Sequence, residues 1–134
     1  MTSRRSWVVL TWLVCSACTG SNGDLPSAYR DIPIREEQLQ SNDARTRGRR
    51  LFLTHCALCH GEQADGRGER REGFAGPPRD FTDANWRRST SARRAYFAIR
   101  EGVRGTPMPA WKTLDEGATW DVVAYVLSVS RPQG

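Results

Sequence analysis

The sequence has few of the nitrogen and sulfur side chains that bind transition metals. Its 134 residues include two histidines, four cysteines and two methionines. No motif for a general acid, a general base or a nucleophile is present. The stretch "GRGERREG" lacks the preceding strand and the following Lys-Ser/Thr of a phosphate-binding loop. No apolar run reaches the roughly 20 residues that cross a bilayer. These absences argue against an enzyme with its own acid–base chemistry and against a membrane-spanning chain.

The first residues have the pattern of a secretory signal peptide. Arg4 and Arg5 precede an apolar stretch, "WVVLTWLVCSA", that ends in small residues. The tripeptide "SAC", which ends at Cys18, resembles a bacterial lipobox, where the cysteine after the cleavage site receives lipid. We therefore predict a signal peptide over residues 1–17, loss of Cys15 with it, and a lipidated Cys18 that anchors the exported protein on the periplasmic side of a bacterial membrane.

The charge of the chain is too mild for a nucleic-acid-binding protein. Cleavage of the signal peptide removes two arginines and no acid, which lowers the formal net charge of +5 by two. The arginines are also not interleaved with aromatic residues that could stack on bases. We therefore expect no nucleic-acid partner.

The mature chain is predicted to consist of a flexible tether, residues 18–42, and one small domain, residues 43–134. Apolar spacing and capping residues predict three helices in the domain. They run from about Asp43 to Cys56, from the cap in "STS" to about Glu101, and from about Asp115 to a point before Pro132. The valines of the third would also suit a strand, but no second strand is available to pair with it. The loop between the first two helices is long, and such loops usually surround something functional.

The stretch "CALCH" carries the chemistry of the domain. Cys56, Cys59 and His60 could hold a zinc ion, form a redox disulfide or attach a haem. A structural zinc needs four ligands, and no second ligand pair follows. A thioredoxin-like pair needs a βαβ context, which the predicted helices do not offer. Cys-x-x-Cys-His is the signature of covalent c-type haem attachment, in which both thiols form thioethers and the histidine lies under the iron.

A second axial ligand can be found by elimination. Met108, in "GTPMPAW", is the one methionine besides the initiator. A lone methionine is often core filler, but this one lies between two prolines in a loop that cannot continue a helix. His55 is the other soft candidate, and Cys56 beside it holds it on the His60 side. Met108 is therefore predicted to bind the iron opposite His60.

With these motifs the chain resembles class I monohaem cytochromes c. The matching features are "GRRLFLTHCALCHG", "GPP", "GTPMPAW" and "TWDVVAYVLS", which together cover residues 43–131. "RDFTDANW" and "IREGVRGTPMPAWKTL" look like the lipoprotein cytochrome subunits of bacterial respiratory complexes such as alternative complex III. The resemblance implies an all-α cytochrome c fold, with three main helices and long loops wrapped around one covalently attached haem c.

The resemblance also implies roles for single residues. Gly48 and Phe52 on the first helix would pack against Tyr125 on the last. Pro77, or its neighbour Pro78, would lend its carbonyl to the second ring nitrogen of His60. Arg79 and Trp86 would approach the haem propionates. One departure is "GPPRDF", where many relatives have Gly-Pro-x-Leu, and it leaves open which carbonyl meets His60.

An iron with both axial positions filled by protein favours electron transfer over catalysis. We expect one-electron carriage in a respiratory or periplasmic chain, with redox proteins or respiratory-complex subunits as partners. A fixed subunit of a larger complex is an alternative. A peroxidase of this family would need a second haem, and a ligand sensor would need Met108 to dissociate.

Arginines are concentrated in the stretch from Arg67 to Arg94, where four acids accompany them. The eight are Arg67, Arg70, Arg71, Arg79, Arg87, Arg88, Arg93 and Arg94. We interpret them either as a solvated surface or as a positive rim around the haem edge that attracts an acidic patch on a redox partner.

Overall fold

The computed structural model describes residues 24–71 and 74–130. These residues contain seven α-helices, a 3₁₀ turn and no β-strand. The helices are α1 (Ser27–Arg30), α2 (Glu36–Gln40), α3 (Asn42–His55), α4 (Ala57–His60), α5 (Ala84–Ser89), α6 (Ala92–Glu101) and α7 (Glu116–Val129), and the 3₁₀ turn is Glu69–Arg71. None of these helices is long and apolar enough to cross a bilayer. The predicted signal peptide, Cys15 and Cys18 lie outside the described residues.

The three predicted helices are confirmed as α3, α6 and α7, and each begins at a side-chain cap. Ser41 Oγ accepts a hydrogen bond from the Ala44 amide at the start of α3. Ser91 Oγ and Asp115 Oδ1 do the same for α6 and α7. Such caps satisfy amides that have no partner within the helix. The short helix α5, inside the long loop, was not predicted.

Helices α3 and α7 cross in direct backbone contact at Gly48. A Cβ at this position would lie 1.9 Å from the Asp121 carbonyl oxygen and 3.0 Å from the Tyr125 Cβ. Next to the crossing, the rings of Phe52 and Tyr125 pack edge to face, with centroids 5.1 Å apart. The expected packing of Gly48 and Phe52 against Tyr125 is therefore confirmed.

A buried carboxylate ties three helices together beside this crossing. Asp121 on α7 is 6% exposed. Arg47 on α3 donates two hydrogen bonds to it, at 2.7 and 2.9 Å, and Gln38 Nε2 on α2 donates a third at 2.7 Å. A buried carboxylate is costly unless such partners satisfy it. The network therefore fixes the position of α2 against α3 and α7.

Helix α7 is the centre of the core. Its buried residues lie all around the helix, as expected for an element enclosed by others. They are Thr119, Trp120, Asp121, Val122, Val123, Ala124, Val126 and Leu127. The ring of Tyr96 on α6 lies 4.6 Å from that of Trp120. Because α2, α3 and α6 surround α7, the apolar run that would also suit a strand is folded as a buried helix.

The segment before α3 differs from the predicted flexible tether over residues 24–42. This part of the chain forms α1 and α2 and packs on the domain. Arg93 Nε donates to the Ile32 carbonyl at 2.9 Å, and Gln38 Nε2 donates to the Gly117 carbonyl at 2.9 Å. The physical reason is a set of apolar side chains spread through the segment that pack on the core: Leu25, Tyr29, Ile32, Ile34 and Leu39.

The crossing at Gly48 predicts an unusual response to alanine. In an open helix, Gly→Ala stabilises by up to about 1 kcal/mol. At Gly48 the new methyl group meets backbone atoms of α7 that cannot move alone, so we expect Gly48→Ala to destabilise by about 1–3 kcal/mol. The measurement is the urea midpoint of the haem-loaded protein at unchanged slope.

Gly117→Ala on α7 is the matched control for this measurement. Its Cβ would meet only the Asp115 Oδ1, at 3.4 Å, which is an ordinary contact. Stability should therefore stay the same or rise slightly. Equal stabilisation by both substitutions would contradict the close crossing at Gly48.

Candidate functional site: a haem cavity

One cavity gathers most of the residues that the sequence singled out. It has a volume of about 860 Å³, within the range of roughly 300–1,000 Å³ typical of cofactor sites. Cys56, His60, Arg79, Trp86 and Met108 line it, together with apolar side chains that include Phe52, Phe81, Ile99, Val122 and Val126. Of the residues that the sequence placed at the haem, Cys59, Pro77 and its alternative Pro78 are not in the lining.

The attachment motif folds as a tight helical turn after α3. The Cys59 and His60 amides both donate to the Cys56 carbonyl, at 3.1 and 2.9 Å. The two thiols are not joined in a disulfide. Burial, and then the neighbouring Cys59, raises the pKa of the Cys56 thiol to about 12. The Cys56 side chain lines the cavity, and this position suits a covalent thioether to a ring held there.

His60 is held in the form that can bind a metal ion. Its Nδ1 lies 3.0 Å from the Arg79 carbonyl oxygen, which can only accept, so Nδ1 carries the proton and Nε2 keeps its lone pair. Burial lowers the pKa of His60, which favours the neutral ring. Phe81 stacks on this ring, with centroids 4.7 Å apart.

The prediction that Pro77 or Pro78 supplies this carbonyl is wrong, because the loop places Arg79 there. The Pro78 carbonyl oxygen faces Gly66 instead, 2.7 Å from where a Cβ of that glycine would lie. Gly66 has a φ of 76°, a conformation that glycine adopts without strain. The Phe81 amide then donates to the Ala64 carbonyl at 2.8 Å. These contacts shift the carbonyl that meets His60 beyond both prolines.

Met108 lies in a loop that folds back on the end of α6. We call residues 102–111 the Met loop. Gly102, with a φ of 73°, begins it, and a Cβ there would lie 2.6 Å from the Met108 carbonyl oxygen. The Trp111 amide donates to the Ile99 carbonyl at 2.9 Å. The Trp111 ring packs against His55 at 5.1 Å, which links the loop to α3. The loop thereby presents a half-buried Met108 to the same cavity as His60.

The donor set and the walls fit a haem. The cavity combines an imidazole nitrogen, a thioether sulfur and a buried thiol with mainly apolar surroundings. Nitrogen and sulfur are the axial donors that c-type haem iron takes. Apolar walls exclude water from the ring, and two exposed arginines, Arg79 and Arg104, line the cavity where acidic groups can meet them.

The family is shown by comparison with known proteins. Residues 43–126 match the model of the family described as cytochrome c oxidase, cbb3-type, subunit III. The chain belongs to this family. It is therefore a c-type cytochrome domain with covalently attached haem c, in which Cys56 and Cys59 occupy the Cys-x-x-Cys-His positions, and it transfers electrons through that haem.

Individual relatives agree with this placement. The thiosulfate dehydrogenase of Stutzerimonas stutzeri (strain A1501) is 31% identical over 125 residues, which are 91% of this chain and 38% of that protein. The chain thus spans well under half of that curated relative.

Solved structures support the same fold. A chain of the Kuenenia stuttgartiensis reducing HAO-like protein complex Kustc0457/Kustc0458 has a TM-score of 0.61 and 25% identity, over 75% of this chain and 48% of that one. The KustC0563 c-type cytochrome has a TM-score of 0.51 and 30% identity, over 63% of this chain and 98% of that one. The expectation of an all-α cytochrome c fold is confirmed.

Several cavity residues were missed from the sequence. Leu25 and Tyr29 reach the cavity from the segment predicted to be a tether, and their apolar character on either side of Pro26 was the available signal. Phe81 belongs to the "RDF" departure, and its stacking on His60 could not be read from spacing. Arg104 lay outside the arginine-rich stretch.

The arginine-rich stretch is only partly a free surface. Arg87 Nε donates to the Leu127 carbonyl, Arg93 Nε donates to the Ile32 carbonyl, and Arg94 pairs with Asp24. These three side chains join elements of the fold. Among the arginines of this stretch whose side chains the structure describes, the exposed ones are Arg67, Arg70, Arg79 and Arg88. The predicted rim is therefore smaller than the sequence suggested.

Proposed function

We propose that the protein is an exported one-electron carrier whose haem iron is bound by His60 and Met108. One observation carries the proposal: His60 and Met108 line the same cavity, next to Cys56 of the attachment motif. A peroxidase or a ligand sensor needs an open axial position, which a cavity with one candidate ligand from α4 and another from the Met loop does not favour.

Each residue would have a definite task in electron transfer. The Arg79 carbonyl accepts a hydrogen bond from the Nδ1–H group of His60. This bond orients the ring and raises the basicity of its Nε2. The Met108 thioether would fill the second axial position and raise the potential relative to histidine alone. The haem supplies the one-electron redox change. Trp86, and the side chain of Arg79, would contact the propionates, since both line the cavity.

Removal of the thioether should leave the haem attached but change its electronic state. In Met108→Ala we expect loss of the weak near-infrared thioether–iron band and a lower reduction potential. The haem should still resist acid–acetone extraction, because Cys56 and Cys59 remain. Potentiometry and ferric absorption spectra measure both effects. An unchanged band in Met108→Ala would rule out this residue as the ligand.

A fixed subunit of a larger redox complex is the second candidate. The lengths of the relatives favour it, because the chain spans only 38% of the thiosulfate dehydrogenase and 48% of the chain from the HAO-like complex. In both relatives a domain like this one accompanies further sequence. A shuttle must find its partner by diffusion, whereas a fixed subunit is already docked. Attraction by charge at the cavity mouth would therefore help only the shuttle.

Positive charge at the cavity mouth is the proposed means of attracting a partner. Arg79 and Arg104 are exposed, line the cavity and make no ion pair within the described residues. The other charged lining residues are largely compensated, since Asp24 pairs with Arg94 and Glu101 pairs with Lys112. Arg79 would share its charge with the haem propionates, so an acidic patch on a redox protein would be complemented mainly by Arg104.

The steering prediction can be tested with small probes of opposite charge. Oxidation of the reduced protein by anionic hexacyanoferrate(III) should slow by about tenfold between low and high salt, since the Debye length falls from about 30 Å at 0.01 M to about 3 Å at 1 M. Cationic tris(phenanthroline)cobalt(III) should show the opposite trend. Stopped-flow absorbance measures both rates.

Charge reversal then locates the effect on the surface. Arg104→Glu should slow the anionic oxidant at low salt. Arg50→Glu is the matched control, because Arg50 is exposed on α3 and lines a different hollow, beside Asp121. If both variants slowed the reaction equally, only net charge would matter. Rates indifferent to salt would mean that the arginines at the cavity mouth are only solvated.

The export and anchoring proposals rest on the sequence of the first 18 residues. Lipid on Cys18 would hold the domain on the periplasmic side of a bacterial membrane, because two or three acyl chains anchor stably where one does not. Cys18→Ser should release the haem-loaded protein from the membrane fraction without loss of haem. Retention of that variant in washed membranes, measured by haem staining, would indicate that a retained signal helix or a partner complex holds the protein.

A further inference from the structure

The segment before α2 forms one wall of the haem cavity. We call residues 24–34 the N-terminal wall. Asp24, Leu25, Pro26 and Tyr29 all line the cavity, and Leu25 is 3% exposed. Arg94 Nη2 lies 2.8 Å from Asp24 Oδ2, and Arg93 Nε donates to the Ile32 carbonyl at 2.9 Å. Two side chains from α6 therefore hold the wall at both ends.

Tyr29 is the point where this wall meets the end of α6, next to the start of the Met loop. Its ring packs edge to face on Phe97, with centroids 4.8 Å apart. Its hydroxyl donates a hydrogen bond to Glu101 Oε1. The other oxygen of the same carboxylate, Glu101 Oε2, lies 3.0 Å from Lys112 Nζ. One carboxylate is thus shared between the N-terminal wall and the residue that follows the Met loop.

The shared carboxylate stands at the base of the Met loop. Glu101 is the last residue of α6, immediately before Gly102, and Lys112 comes immediately after Trp111. Their pairing joins the two ends of the loop that carries Met108. Tyr29 in turn restricts the rotation of the Glu101 side chain, because its own ring is fixed between Phe97 and Tyr96.

The protonation states of the two partners suit this arrangement at neutral pH. Burial, and then the bond to Glu101, raises the pKa of Tyr29 to about 12, so the phenol remains a donor. The bond from Tyr29, followed by that from Lys112, lowers the pKa of Glu101, so the carboxylate remains an acceptor for both.

We propose that Tyr29 is a positioning residue for the haem site, which acts through Glu101 and Lys112 to keep the Met loop closed and Met108 in the cavity. The inference rests on the proposed role of Met108 as an iron ligand. Lys112, at the end of this chain of contacts, is exposed. An exposed ion pair such as Lys112–Glu101 contributes little to the free energy of unfolding. The effect should therefore be seen in ligand exchange at the iron and not in the unfolding midpoint.

Competition by imidazole measures how firmly the Met loop is closed. In the ferric, haem-loaded protein, imidazole binds when Met108 leaves, and the near-infrared thioether band disappears. Tyr29→Phe keeps the ring contacts and removes the donor. We expect its dissociation constant for imidazole to fall by roughly twofold to fivefold, with an unchanged urea midpoint.

A double-mutant cycle separates this role from simple packing. Glu101→Gln should also tighten imidazole binding, since it removes the charge that Lys112 pairs with. In the Glu101→Gln background, Tyr29→Phe should add nothing, because the group through which it acts is already changed. Independent, additive effects of the two substitutions would overturn the proposed route.

The matched control breaks a different contact of the segment before α3, one that it makes with helix α7. Arg35 lies 2.8 Å from Glu116, and neither residue lines the haem cavity. Glu116→Gln should leave imidazole binding unchanged. If Tyr29→Phe kept the near-infrared band of the wild-type protein and bound imidazole with the same affinity, the proposed role of Tyr29 would be overturned. The assignment of Met108 would then stand. A ferric wild-type protein without the band would overturn the Met108 assignment, and this role of Tyr29 with it.

Discussion

The contact between α3 and α7 at Gly48 governs the geometry of the whole molecule. No side chain separates the two backbones there, since a Cβ would lie 1.9 Å from the Asp121 carbonyl oxygen. The attachment turn follows directly from the end of α3, so the crossing sets where Cys56 and His60 stand relative to the core. The Asp121 network with Gln38 and Arg47 prevents the helices from turning about their contact point. A site that must hold a rigid ring thus begins with two helices in fixed register.

The two proposed ligand residues, His60 and Met108, are positioned mainly by backbone groups. The Arg79 carbonyl orients His60, and the Ile99 carbonyl receives the amide that folds the Met loop back. Backbone contacts tolerate changes of side chain, so the loop sequence can vary while the ligand geometry stays. This suits a protein whose activity needs little nuclear movement: an electron enters and leaves while the ligands remain in place. The side chains around the mouth are then free to determine the choice of partner.

The sequence predicted what depends on local pattern and missed what depends on tertiary contact. Helices α3, α6 and α7 followed from apolar spacing and from the capping residues Ser91 and Asp115. The attachment motif followed from its spacing. The Arg79 carbonyl could not be found this way, because its place depends on how Pro78 packs over Gly66. The N-terminal wall was missed for a similar reason: the segment with Leu25 and Tyr29 shows no sustained helical period, and the burial of these side chains depends on the face of α6 against which they pack.

The N-terminal wall also determines how the domain responds to mechanical force. The chain upstream of Asp24 enters the domain at the cavity, so tension applied through that chain acts first on the ion pair between Asp24 and Arg94. The next contact to bear load is the one from Tyr29 to Glu101. The crossing of α3 and α7 lies further along the chain, beyond the contacts of the wall. A pull along the chain would therefore open the edge of the haem site well before it unfolded the core.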